Sequence, residues 1–286
     1  HFFVPRKLAD AFGQTTAVEY DAYDLLVTRT TDAVANSVTA ANDYRVLQPR
    51  QVTDPNRNRS ASAFDALGMV VATAMMGKQG QSFGDLLEGF NANPTLDDLR
   101  AFVADPHRQA ASLLGKATTR IVYDLDRYKR AGQPPFAATL ARETHFEPVR
   151  DGQTKIQLSF SFSDGFGREI QKKIQAESGN AFQRQAPVLL PGGDLRPGDL
   201  VRNAQGKVVE TNAPRRWVGS GRTVFNNKGK PVKQFEPFFS ATHLYESEPD
   251  VTDTGVSPVL FYDPVERVVA TLHPNHTYEK VVFDPW

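Results

Sequence analysis

The sequence predicts a mainly β protein, built of antiparallel β-meander strips with a small helical insertion. Three observations lead there. Aspartates stand at Asp10, Asp21, Asp32, Asp43, Asp54 and Asp65, each 11 residues after the last. Further along, Ile156, Leu158, Phe160 and Phe162 alternate with Gln157, Ser159, Ser161 and Ser163, which gives one apolar and one polar face at the period of a strand. Turn signals then recur at Asp164-Gly165-Phe166-Gly167-Arg168, Asn203-Ala204-Gln205-Gly206-Lys207, Asn226-Asn227-Lys228-Gly229-Lys230 and Asp263-Pro264-Val265. The runs between these signals are too short for helices of about 10–12 residues.

The aspartate period has a physical reading. An aspartate carboxylate accepts a hydrogen bond from its own backbone two residues on and so starts a turn. Glycine or asparagine a few residues later supplies the left-handed conformation that closes it. About four turn residues leave about seven for a strand, or ~23 Å at ~3.3 Å per residue. The segments Thr16-Ala17-Val18-Glu19-Tyr20, Leu25-Leu26-Val27-Thr28-Arg29-Thr30 and Ser37-Val38-Thr39 are rich in the β-branched and aromatic residues that strands favour. One stretch breaks this grammar. Thr95-Leu96-Asp97-Asp98 opens like a capping box, and Leu96, Leu99, Phe102 and Val103 share one helical face. Asp105-Pro106 starts a second short helix that carries Ala110, Ala111 and Leu114 and ends at Gly115. The expected organisation is therefore β strips over 1–83, a helical insertion over 84–115 and further β strips with loops over 116–286. Pro187 to Pro197 and Glu246 to Pro258 read as connecting loops. This is one repeat architecture with insertions, not two independent domains.

Composition narrows the function. The 33 basic and 33 acidic side chains balance, which argues against a nucleic-acid binder and against a polybasic membrane-surface protein. The longest apolar stretch, Met69-Val70-Val71-Ala72-Thr73-Ala74-Met75-Met76, falls well short of the ~20 residues that span a bilayer. There is no cysteine, so disulfides and thiolate metal sites are excluded. The 19 phenylalanines exclude wholesale disorder. The chain opens at His1-Phe2-Phe3 without an initiator methionine or signal peptide and stops at Phe283-Asp284-Pro285-Trp286, so it reads as a piece of a longer protein.

Candidate chemistry is sparse. Asp124 and Asp126 alternate in Val122-Tyr123-Asp124-Leu125-Asp126 and offer a carboxylate pair, such as glycosidases use. Alternation alone also places two polar residues on a solvent face, and that reading is preferred. His273 and His276 lie three apart, and His243 lies near Glu236 and Glu246, but a zinc site needs three or four converging ligands. Lys172, Lys173, Arg215 and Arg216 make two small basic spots, read as solvated charge at an edge or outer face. Phe160, Phe162, Phe235, Phe238 and Phe239 read as packing between strips. Gly219-Ser220-Gly221-Arg222 is too short for a phosphate loop, and no nucleophile elbow or His-Glu-x-x-His helix is present. No catalytic, cofactor-binding or metal residue is assigned, and no cofactor is expected.

The hairpin grammar, Tyr or Phe before Asp and then Gly with Arg or an apolar residue, resembles the YD repeats of RHS proteins, a class that includes teneurins. Arg216-Trp217-Val218-Gly219-Ser220-Gly221-Arg222, running on through Phe225-Asn226-Asn227-Lys228-Gly229-Lys230-Pro231-Val232 to Phe235-Glu236-Pro237-Phe238-Phe239-Ser240, is similar to the later part of the B component of bacterial insecticidal toxin complexes. That family shares regions with SpvB-type proteins. Asn42-Asp43-Tyr44-Arg45-Val46-Leu47-Gln48-Pro49-Arg50 and the stretch from Leu272-His273-Pro274 to Asp284-Pro285 fit it too. The resemblance covers nearly the whole chain and is weakest in the helical insertion. It implies a secreted assembly in which B and C components form a hollow shell of spiralling β-strips. Such a shell holds an unfolded toxic segment of the C component and docks on a pore-forming A component. This chain would supply wall strips of the B half, a non-catalytic scaffold, with the C and A components as partners and neither nucleic acid nor membrane insertion involved. It contains no stretch for the family's β-propeller gate, so docking on the A component is not assigned to these residues. Asp263-Pro264 and Asp284-Pro285 look like the aspartate motif of RHS autoproteolysis, but Val265 and Trp286 follow where glycine would stand; both are assigned to turns. The alternative function is a YD-repeat surface adhesin or carbohydrate-binding module, which requires a shallow exposed aromatic platform.

Overall fold

The computed structural model describes residues 3–81, 83–147, 154–247 and 257–284. The chain divides into two compact units, one formed by His1–Val122 with Thr139–Gln157, the other by Tyr123–Ala138 with Leu158–Trp286. Strands dominate both, as the sequence pattern requires.

The first unit begins with a meander in strict sequence order: β1 (Lys7–Ala9), β2 (Thr15–Tyr20), β3 (Val27–Thr31), β4 (Ser37–Asp43), β5 (Gln48–Thr53), β6 (Arg59–Phe64) and β7 (Val70–Met76). Each strand pairs antiparallel with the next. The register slips by one residue at Glu19/Tyr20, Ala41/Asn42 and Ala63/Phe64, the bulge that accompanies a type I turn closed by a left-handed residue. No residue of β1 to β6 is buried. Burial starts at β7 with Val71, Ala72 and Ala74. Two helices follow, α1 (Leu96–Ala104) and α2 (Pro106–Leu114). Thr95 and Asp98 make the full capping box, Asp105 caps α2 through Arg108 N, and Phe102, Val103, Ala110 and Leu114 are buried. The strand β8 (Thr119–Asp124) then pairs with β7.

The second unit opens with α3 (Arg127–Ala131), five residues that the strand grammar does not predict; Gly132 stops it in the left-handed region. The strand β9 (Phe136–Arg142) has residues in both units, and β10 (Ile156–Ser163) pairs with β11 (Glu169–Ala176) across the Asp164 turn. The remaining strands are β12 (Gly179–Phe182), β13 (Val188–Leu189), β14 (Leu195–Arg196), β15 (Glu210–Ala213), β16 (Arg216–Gly219), β17 (Thr223–Phe225), β18 (Pro231–Gln234), β19 (Phe238–Ser240), β20 (Val259–Tyr262), β21 (Val268–Leu272) and β22 (Tyr278–Lys280). Here the order leaves the simple meander: β11 pairs with β16, β16 with β19, and β12 runs parallel to β19. Pro187 to Pro197, expected to be a loop, contains the hairpin β13–β14, closed by Leu190 N donating to Asp194 O and Gly193 N to Leu190 O. Two-residue strands carry too little alternation to show in a sequence. Of the expected Glu246–Pro258 loop, residues 248–256 lie outside the described residues, as do Pro285 of the final Asp-Pro and the termini His1, Phe2 and Trp286.

Candidate functional site: a laced meander and three buried charge clusters

The turns carry the most regular geometry. In the turn at Asp10, the Oδ1 atom accepts from Phe12 N and Gln14 N. The same two-forward, four-forward pattern recurs at Asp21, Asp32, Asp65, Asp164, Asn203, Asn226 and Asp263. Asp43 keeps the two-forward bond and Asp54 the four-forward one. The third residue after these ten turn-starters is left-handed in nine cases, and glycine fills five of them: Gly13, Gly68, Gly167, Gly206 and Gly229, against Asp24, Ala35, Arg57 and Glu266. The expectation that glycine or asparagine closes each turn is corrected here. The double bond to the carboxylate and the closing backbone bond, such as Ala35 N to Asp32 O, together outweigh a left-handed cost of roughly 1–2 kcal/mol.

Turns on the same edge of the strip are tied to each other. Consecutive turns of a meander alternate between its two edges, so Asp21, Asp43 and Asp65 share one edge and Asp10, Asp32 and Asp54 the other. On the first, Tyr44 Oη donates to Asp21 Oδ2 at 2.7 Å, and Arg45 Nη1 donates to Asp65 O at 2.5 Å. Tyr44 holds the Asp21 carboxyl below the usual carboxylate range. Asn93, just before α1, caps the last turn by accepting from Ala66 N. In the second unit the tie runs between separate sheets: from the β17–β18 hairpin to the β20–β21 turn, Lys228 Nζ donates to Pro264 O at 2.8 Å and Lys230 pairs with Glu266 at 2.9 Å.

Three charged clusters lie inside. In the first unit Asp85, wholly buried, accepts from Thr118 Oγ1 and, at 2.5 Å, from Phe146 N, and lies 3.1 Å from His145 Nδ1. In the second unit Arg130 bridges Asp124 (2.9 and 3.0 Å) and Asp194 (3.1 and 3.2 Å), while Arg127 donates to Leu195 O at 2.6 Å. Burial raises the Asp124 pKa despite Arg130 and Arg127 beside it. The third cluster centres on Glu246, which pairs with Lys173 and with Arg184 (2.6 Å) and accepts from Ser240 Oγ at 3.1 Å. The Gln171 side chain holds the backbone of Glu246 through two bonds, donating to its carbonyl at 3.0 Å and accepting its N–H at 2.9 Å. The second and third clusters fasten non-strand segments to strands, and the first joins the segments around Asp85, Thr118 and Phe146. None presents a hydroxyl to a histidine: the Thr118 hydroxyl donates to Asp85, not to His145.

No family model matches the sequence, and no curated protein matches it. Solved structures do. A crystal structure of TcdB2-TccC3 superposes with a TM-score of 0.75 at 24% identity, covering 100% of this chain and 13% of that one. TcdB2-TccC3-Cdc42 gives 0.73 at 20% identity, and the Photorhabdus luminescens Tc holotoxin pore gives 0.72 at 20%, each covering 100% of this chain and 15% of the other. The chain has the TcdB2-TccC3 fold. It spans about an eighth to a seventh of the length of the chains it matches.

Within that fold the candidate residues of the sequence separate clearly. Asp124 and Asp126 are not a solvent-facing pair: Asp124 is buried against Arg130, and Asp126 stands at the start of α3. Lys173 is not solvated either, since it is fully buried on Glu246 with its ammonium 4.5 Å from the centre of the Phe238 ring. Arg216 stacks over Phe239 at 3.9 Å. Phe160, Phe162, Phe235 and Phe238 are buried, with Trp217 5.7 Å from Phe160 and His243 4.9 Å from it; Phe239 is exposed. His273 and His276 form the β21–β22 turn, where His273 lies 3.4 Å from Glu279. Gly221 permits a close approach: a Cβ there would sit 1.8 Å from Phe235 O. Among the described residues no three His, Asp or Glu side chains gather as metal ligands, and no helix is long and apolar enough to cross a membrane. The Asp85 and Glu246 clusters escaped the sequence because they join residues as far as 60 and 75 positions apart, where spacing carries no signal.

Proposed function

We propose that this chain is a wall segment of a toxin-complex shell that encloses a toxic polypeptide, acting as scaffold without catalysis. The observation that supports it most is the meander β1 to β6: every strand is paired, yet no residue is buried. Its strands are filled with Thr, Ser and Ala, such as Thr28, Thr30, Ser37, Thr39, Ala40, Ser60 and Ala61. An enzyme domain buries one face of its sheet to hold a site rigid; a wall one sheet thick has water on both sides and takes its stability from lateral pairing. The fold neighbours carry the names of a toxin complex and its holotoxin pore, so the partners would be an RHS-type C component and a pore-forming A component, in a secreted assembly. The adhesin reading gains less support, because most of the large aromatics singled out in the sequence are packed inside.

The test is protection. The protein assembled with an RHS-type C half bearing a C-terminal payload should shield that payload from trypsin until the shell is denatured. Payload digestion at the rate of the free polypeptide, in an assembled particle, would overturn the proposal.

A further inference from the structure

The second residue after each turn-starter sits at the tip of its hairpin; it is neutral and polar at Asn56, Gln205 and Asn275, cationic at Arg45 and Lys228, and apolar or aromatic at the others. Of the cations, Arg45 turns sideways along its own strip to Asp65 O and Phe64 O, whereas Lys228 reaches Pro264 O in a hairpin of a separate sheet. Where it is apolar, it projects into open space. Phe12 is 88% exposed, Val34 76%, Leu67 73% and Phe166 86%. Scattered exposed hydrophobics need no explanation, but large ones returning to one geometric position do.

We infer that these apolar tips are the contact surface between one strip and the edge of another strip built of the same repeat. This rests on the wall reading. The occupant follows from spacing and extent. Tips on one edge recur every second strand, about 9.6 Å at ~4.8 Å per strand. Any strip with the same hairpin repeat presents the same spacing, so tips of one edge match the troughs of another. The fold neighbours are some seven times longer than this chain, which covers 13–15% of them, so further strips are available to meet it. Phe12 and Val34 lie on the edge of the first unit where Asp32 and Asp54 are capped within their own turns by Asn36 and Asn58. The cationic tip Arg45 lies on the opposite edge, between the exposed tips Tyr23 and Leu67, and ties neighbouring turns together. Apolar tips thus join strips, and Arg45 stiffens its own.

The absence of cysteine makes the test direct. Single variants Phe12→Cys, Val34→Cys and Leu67→Cys, with the polar tip variant Gln205→Cys as control, are assembled with an RHS-type C half and treated with a maleimide dye. Apolar-tip cysteines should label at least tenfold more slowly in the particle than after denaturation, while the control labels readily. Mass spectrometry of a short bifunctional cross-linker should join them to hairpin tips of another strip. A particle that protects its payload but labels at every tip as fast as the control would overturn this inference and leave the wall reading intact. Free labelling with no payload protection would overturn both.

Discussion

The first six strands and the β10–β19 region are both antiparallel sheet, yet they are held together differently. In β1 to β6 nothing is buried and the side chains are small; stability resides in ladder bonds and in carboxylate-capped turns. In the second unit β10 buries Leu158, Phe160 and Phe162, β16 buries Trp217, and Glu246 with Lys173 and Arg184 is sealed inside. The same hairpin grammar therefore serves two purposes. Where the strip is a bare sheet, the turn is the stabilising unit. Where it packs, the turn only sets the register.

That contrast can be broken at several points. The largest effect is expected at Glu246→Leu, which strands Lys173 and Arg184 as buried cations and should destabilise by about 3–5 kcal/mol, read as a fall in the denaturant midpoint. The double variant with Lys173→Met should recover a good part of this. Phe160→Ala should cost about 3–5 kcal/mol, whereas Val52→Ala in the meander should cost about 1 kcal/mol or less, since Val52 is only half-buried. Equal losses at the two sites would erase the distinction drawn here.

Much of this was legible beforehand. The 11-residue aspartate period marked every turn of the meander, because an Asx turn is a local device that needs only the residues two and four ahead. The α1–α2 insertion was equally readable from Thr95, Asp105 and Pro106, whose caps are local too. What escaped was non-local. Nothing near Lys173 signals that Glu246 will cover it, and Asp124 reads as one polar position in an alternating strand until Arg130 and Asp194 meet it. Left-handed Ala35 and Arg57 also ran against residue preference, because the carboxylate bonds around them decide the backbone.

Smaller effects sharpen the comparison further. Asp32→Ala removes two backbone bonds and the tie to Asn36, and should cost about 1–2 kcal/mol. Acid should act first on the meander. Hydrogen bonds from Tyr44, Asn36 and Asn58 lower the pKa values of Asp21, Asp32 and Asp54. The stability they lend is full above the unfolded value of about 3.9 and is lost as pH falls through the lower folded values. Asp124, raised by burial, carries the opposite sign and gains its proton earlier in the folded state. Asp164 in the β10–β11 turn is also lowered, the upward push of burial being overcome by Arg168, so the comparison is with β16. Hydrogen exchange followed from about pH 5 to 2.5 should show the β1–β6 amides losing protection before those of β16, and the reverse order would contradict this. The smallest effect is a gain: Ala35→Gly relieves a left-handed alanine (φ 67°) and should stabilise by about 0.5–1 kcal/mol in thermal melts.

The most direct measurement is a cryo-EM map of the protein mixed with the RHS-type C component proposed as its partner. The wall account predicts β1 to β6 as a single sheet, bordered on one side by a lumen and on the other by solvent. A second protein layer packed over either face of that meander would contradict it.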